Sequence, residues 1–182
     1  MPDSRTHIRQ LLAAFDPPDP QQASYRRRML DLCASAGDPT SRSRFDPGHF
    51  TASGFVASPN GAGVLLIHHE KIGKWLQPGG HIEPDDASIE AASRREIAEE
   101  TGLGAIQSFG LIDIDIHQFP LRADDPAHLH FDLRYGFRAR SGLIEAGEGV
   151  LDARWIPFDE LDRWSADRSV TRPSKALHAL VR

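Results

Sequence analysis

Cysteine is almost missing from this 182-residue chain, where Cys33 stands alone. A single thiol excludes an intrachain disulfide, so the fold must rest on a hydrophobic core, which a chain of this length can bury. Also missing is any apolar run near the ~20 residues that a membrane-spanning helix requires. The first fifteen residues, MPDSRTHIRQLLAAF, hold too short an apolar stretch for a secretory signal. The expectation is a soluble, cytoplasmic protein with no membrane partner. A basic excess is lacking as well: Lys and Arg number 21 against 26 Asp and Glu, for a net charge of −5. That argues against a general nucleic-acid binder, which normally carries a basic stripe. It leaves room for a phosphate-bearing ligand whose charge is offset by a metal cation. Internal repeats are absent too, and the length suits one domain with an extension.

What is present divides at about residue 45. Residues 6–15 and 20–36 read as helices, with Asp19-Pro20 as N-cap and first helical position and Gly37 as a stop. The ordinary reading of Arg26-Arg27-Arg28 is a solvated helix face. The breaker-rich DPTSRSRFDPGH reads as a connector, so residues 1–45 are expected to be an N-terminal helical extension to a domain at 46–182. HFTASGFVAS and GVLLIHHE flank Pro59-Asn60-Gly61 and predict an antiparallel hairpin. KIGKWLQPGG reads as a loop, and Asp86 to Thr101 as a helix with Asp86 as candidate N-cap and Gly102 at C′. FGLIDIDIHQF and HLHFDLRYGF alternate as strands, ARWIPF is a short strand, FDELDRW a helical turn, and the tail after Pro173 a last helix. Interleaved strands and helices predict an α/β fold, a mixed sheet covered by helices.

The helix after Asp86 carries an unusual set of acids in REIAEETGL. At 100° per residue, Ile89, Ala92, Ser93, Glu96, Glu99, Glu100 and Leu103 fall on one stripe, the core-facing one. Glu96 and Glu100 are a like-charge i,i+4 pair, unfavourable by a few tenths of a kcal/mol even in water. Arg95 can pair with Glu99, yet one arginine leaves the trio net negative. A hard divalent cation is the natural complement, because Mg²⁺ takes a few carboxylates, waters and phosphate oxygens. The competing reading is a plain solvated face.

The stretch from Gly80 to Leu103, GHIEPDDASIEAASRREIAEETGL, resembles the Nudix box, G-x5-E-x7-R-E-U-x-E-E-x-G-U with U aliphatic. Arg95, Glu96, Ile97, Glu99, Glu100, Gly102 and Leu103 match every specified position of its second half. The first half is one residue longer, so that the box glutamate falls on Asp86 counted forward or Ala87 counted back. The resemblance implies a Nudix-type α/β/α sandwich and Mg²⁺- or Mn²⁺-dependent hydrolysis of a nucleoside diphosphate linked to some group X, or of a related nucleotide. It also implies that Glu96, Glu99 and Glu100 are metal ligands or a general base. Arg95 would orient a glutamate, and a carbonyl at Gly79-Gly80, assigned to Gly80, would be a further ligand. Many relatives form dimers, which leaves a homodimer as an expectation.

Outside the box, Glu145, Glu148 and Asp152 are candidates for a downstream acid, with Glu148 ranked first. Trp75 could stack on a base. His81, His130 and Asp132 are read as substrate-lining; His128 and His130 share a strand face, but the set offers no closed tetrahedral zinc group. Two other functions compete with hydrolysis of a small nucleotide: a non-catalytic Nudix-like nucleotide-binding or regulatory module, and a pyrophosphohydrolase acting on RNA 5′ ends. The second rests only on the arginine run.

Overall fold

The computed structural model describes residues 4–121, 125–165 and 167–182; the first three residues of the expected extension lie outside them. Among these residues, five helices and seven strands run in the order α1 (Ser4–Ala14), α2 (Pro20–Ala34), β1 (Gly48–Ala57), β2 (Gly63–His69), β3 (Lys74–Leu76), β4 (Gly79–His81), α3 (Ile89–Thr101), β5 (Ile106–Phe119), β6 (His128–Ala139), β7 (Val150–Pro157), α4 (Leu161–Trp164) and α5 (Arg168–Val181). The strands form one sheet in the order β3-β2-β1-β6-β5, with β4 pairing to β1 and β7 to β2. This is the expected α/β class, a mixed sheet with flanking helices. Among the described residues, no helix is long and apolar enough to cross a membrane.

The predicted hairpin is present: β1 and β2 pair antiparallel with Ala57 opposite Val64. Gly61 supplies the left-handed turn residue at φ 71°, and its N–H donates to Ser58 O at 2.9 Å. The segment expected to be a loop instead holds β3 and β4, too short to show alternation; Trp75 sits opposite His68 in register. The final helix begins five residues before Pro173, with Asp167 as N-cap accepting from Ser169 N–H at 2.8 Å. Pro173 thus lies inside α5 rather than at its start. The carbonyl its missing N–H would have met is Ser169 O, which accepts instead from Arg134 Nη1 at 2.8 Å. The tolerated proline is a tertiary effect, invisible to local pattern.

The chain clusters into two compact units. The first comprises Met1–Ala52, Gly80–Ala92 and Ile114–Leu133. Its helices α1 and α2 cap one another. Arg5 of α1 donates to the carbonyls of Cys33, Ser35 and Gly37 at the end of α2, while Arg26 of α2 donates to Leu12 O (2.6 Å) and Ala13 O (3.3 Å) at the end of α1. Arg26 is therefore a cap; Arg27 and Arg28 are exposed, as a solvated face requires. Ile8, Leu12, Met29, Leu32 and Cys33 are buried in this unit, along with Phe50 and Phe131.

The second unit comprises Ser53–Gly79, Ser93–Asp113 and Arg134–Arg182. Its core is Phe55, Ala57, Val64, Leu66, Ile156, Leu161, Val170, Leu177 and Val181. Alternation along β5 and β6 does not mark a wet face: Asp113 and Arg134 are buried, and they pair at 3.3 Å. Arg172 completes the group with bonds of 2.7 and 2.9 Å to the two Asp113 oxygens.

Candidate active site

Helix α3 begins at Ser88, whose Oγ accepts from Ala91 N–H at 3.0 Å and whose carbonyl accepts from Ala92 N–H. The candidate cap Asp86 does something else. It is buried, and its Oδ2 accepts from Glu83 N–H at 2.8 Å, closing the turn that precedes the helix. Both residue types suit a cap, and only Ser88 adjoins the first helical residue. The far end is as expected, with Gly102 left-handed at φ 69° and donating to Ala98 O at 2.9 Å.

Close approach holds α3 in place within the second unit. A Cβ on Gly54 of β1 would lie 2.3 Å from Ile97 Cδ1, so only glycine lets the helix lie this near the strand. Gly54 N–H donates to Pro78 O at 3.0 Å, and the next residue, Gly79, donates its N–H to Glu100 Oε2 at 2.9 Å. A strand, a glycine turn and a helix thereby fix one carboxylate.

The three acids are not equivalent. Ile97, left off the predicted stripe, is fully buried with Ile89, Ala92 and Ser93, and Glu99, placed on the stripe, has a side chain 58% exposed. The buried face runs Ile89-Ala92-Ser93-Ile97-Thr101, which carries Glu96 and Glu100 on its margin and turns Glu99 outward. Isoleucine displaces the stripe because burying its side chain is favourable by about 1.5–3 kcal/mol, whereas an unpaired carboxylate would be penalised. Arg95 bridges two of the acids, at 2.9 Å to Glu96 Oε1 and 3.0 Å to Glu99 Oε2. Burial raises the Glu100 carboxyl to about 8; the charges of Glu96 and Glu99 push the same way, and the Gly79 hydrogen bond opposes them. One arginine against three acids leaves a site that favours added positive charge, as a divalent cation among oxygen donors would supply.

The loop before β7 meets the C-terminal end of this helix. Gly147 N–H donates to Glu100 O at 2.9 Å and Glu145 N–H to Thr101 O at 3.0 Å. A Cβ on Gly147 would fall 1.9 Å from Glu99 O. Glu148, the exposed candidate, is therefore the neighbour of a residue pinned to α3. Asp152 is held by Arg154 Nε at 2.6 Å on β7.

The remaining candidates divide between the two units. Trp75 stacks on His68 at 5.3 Å and meets Trp164 edge-on at 5.0 Å, with the Arg154 guanidinium 5.6 Å from its ring. It is half-buried and packs against the core of the second unit. Asp132 is buried in the first unit and accepts from Thr51 Oγ1 at 3.1 Å. Gly80 and His81 lie in β4, and His81 and His130 converge with His49, a residue the sequence reading did not single out. Nor did it foresee the Gly79 N–H or the close fit of Gly147, because each depends on a partner far along the chain.

The model of the NUDIX domain family matches residues 47–178. The chain belongs to the Nudix family. A Bacillus subtilis (strain 168) protein named "Putative 8-oxo-dGTP diphosphatase" is 36% identical over 89 residues, 49% of this chain and 50% of that protein. The Shigella boydii phosphatase NudJ is 33% identical over 111 residues, 59% of this chain and 69% of its own. The chain spans about half the length of the Bacillus protein and of a Lactococcus lactis relative. Among solved structures, a NUDIX-family hydrolase from Clostridium perfringens is 27% identical with a TM-score of 0.56, covering 72% of this chain and 97% of that one. The NUDIX domain of Shewanella oneidensis NrtR, solved with ADP ribose, covers 95% of this chain and 97% of its own at a TM-score of 0.57 and 16% identity, a likeness of fold.

Proposed function

We propose that this Nudix chain is a pyrophosphohydrolase that uses Mg²⁺ or Mn²⁺ to cleave a nucleoside diphosphate linked to a second group, or a related nucleotide. The observation that carries the reading is Glu100, a half-buried carboxyl raised to about 8, fixed by the Gly79 N–H and flanked by two further acids that both bond Arg95. Such a group holds a proton at neutral pH until positive charge arrives beside it, which suits a site built for a cation. Glu96, Glu99 and Glu100 would hold the ion, with the Gly80 carbonyl as a further donor. When bound, a divalent cation neutralises diphosphate oxygens and activates water.

Arg95 keeps Glu96 and Glu99 in register, and Gly79 aims Glu100. Glu148 is the candidate for a proton acceptor from the downstream loop. Residues 1–45 stand as an extension ahead of the domain at 46–182. The relatives' names, a diphosphatase and a DHNTP pyrophosphohydrolase, agree with a nucleotide-type substrate.

The test is a panel of dinucleoside, sugar-linked and triphosphate nucleotides with phosphate-product detection, run with each metal. Mg²⁺- or Mn²⁺-dependent turnover is expected, lost by at least about 10²-fold in Glu100→Gln with an unchanged circular dichroism spectrum. Full activity in that variant would remove Glu100 from the site. Nucleotide binding without product under both metals would replace the enzyme with a binding module.

A further inference from the structure

Within the first unit, four histidines from three strands meet in one place. His49 comes from β1, His81 from β4, and His128 and His130 from β6. They converge because β4 and β6 are both neighbours of β1 in the sheet. The His49 ring lies 5.1 Å from His81, 4.9 Å from His128 and 5.0 Å from His130. One ring nitrogen from each of His49, His81 and His130 lies within 4.8 Å of the other two.

The hydrogen bonds around these rings say where their lone pairs are. A carbonyl can only accept, so His49 Nδ1 donates to Arg44 O at 2.9 Å, leaving the lone pair on Nε2. That Nε2 is buried and has no hydrogen-bond partner among the described residues, a condition rare enough in folded proteins to call for a ligand. His128 Nδ1 donates to Pro126 O at 2.6 Å. As a neutral ring it then accepts through Nε2 from His130 Nε2 at 3.1 Å, so the His130 lone pair falls on Nδ1. Backbone carbonyls and a second imidazole fixing the tautomer of ligating rings is the usual outer-shell arrangement of metal-binding histidines.

We propose that His49, His81 and His130 form a second metal site, one for a borderline cation of the Zn²⁺ type, separate from the carboxylates of α3. Three imidazoles suit zinc, cobalt, nickel or copper, while Mg²⁺ prefers oxygen. Ring nitrogens around such an ion stand about 3.3 Å apart at metal–nitrogen distances of ~2.0–2.1 Å, so nitrogens now within 4.8 Å must close by up to about 1.5 Å. His128 is a positioning residue, and three protein ligands leave a fourth position for water or a ligand group. Phe119, 4.8 Å from the His130 ring, and Phe45, 5.1 Å from His128, give the site apolar walls.

The experiment titrates Co²⁺, as a visible probe, into metal-stripped full-length protein, followed by competition with Zn²⁺. One equivalent should bind with the strong visible absorption of a four- or five-coordinate nitrogen site and be displaced by Zn²⁺. His130→Gln and His81→Ala should each weaken binding at least tenfold. His117→Ala, a half-exposed ring bonded to Asp115, and Glu100→Gln should leave the absorption intact. The last variant separates this site from the proposed hydrolytic one, since it should lose turnover and keep the cobalt spectrum. Circular dichroism confirms that each variant is folded. No visible band, a band that survives His130→Gln, or one that disappears with Glu100→Gln would each overturn the proposal.

Discussion

At the scale of single residues, Glu100 departs from an ordinary surface acid, half-buried and bonded to the Gly79 N–H. Its folded-state protonation sits near 8, well above the usual carboxylate range. In metal-free protein the unfolded chain ionises first as pH rises, so this group's contribution to stability is present in acid and lost as pH climbs through about 8. Melting temperatures of chelator-treated protein should therefore fall between the ordinary carboxylate range and about pH 9. The fall should flatten in Glu100→Gln, whose amide has no proton to lose; an unchanged slope in that variant would assign the pH dependence elsewhere. Asp113 differs in kind, because it is buried yet answered by two guanidinium groups. Asp113→Ala would remove the buried carboxylate that both Arg134 and Arg172 bond and should cost about 3–5 kcal/mol in urea unfolding, against under ~1 kcal/mol for breaking the exposed Asp152–Arg154 pair.

Elements position the acids through contacts that only glycine permits. Gly54 lets α3 lie against β1, and Gly147 lets the loop before β7 touch the helix end. Gly147→Ala must displace either the loop or the last turn of α3, since the new methyl group would meet Glu99 O at 1.9 Å. Overpacking of this kind costs about 1–3 kcal/mol. We expect Gly147→Ala to lower stability by that order and to reduce turnover on the panel by more than Ser88→Ala, which removes a cap worth ~1 kcal/mol at the opposite end of the same helix. Equal activity in the two variants would mean that the loop carrying Glu148 has no part in the reaction. The helix itself and its Gly102 stop were legible from the sequence, because those signals are local, although Ser88 and not Asp86 caps its start. The phase of its buried face was not, because burial of Ile97 rotates that face and turns Glu99 outward.

Across the whole molecule, what the sequence conveyed and what it withheld divide by separation along the chain. The box residues, the β1–β2 hairpin and the α/β class rest on spacings under about twenty residues. The histidine site rests on β1 lying between β2 and β6 with β4 alongside, which brings His49 to His130 across 81 positions and cannot be read from alternation. The same holds for the buried charges of β5 and β6, whose partners come from tertiary contacts that period-two patterning does not show. The N-terminal helices are a further case. Their texture sets them apart from the following domain, yet they bury Ile8, Leu12, Met29, Leu32 and Cys33, and Gln22 Nε2 reaches Ile114 O of β5 at 3.5 Å.

One buried arginine ties two distant choices of residue together. Arg134 stands in for the donor that Pro173 cannot supply, so Ser169 O is satisfied only because strand β6 carries a fork of N–H groups at that height. Among descendants of this chain the two positions cannot drift independently. Exchange of Pro173 for a residue with an N–H would first restore a helical partner to Ser169, and only after that step would an apolar residue at 134 leave no orphaned carbonyl. In the reverse order the intermediate carries a carbonyl at Ser169 that has lost its arginine donor. The history of the pair is therefore directional, set by which substitution comes first.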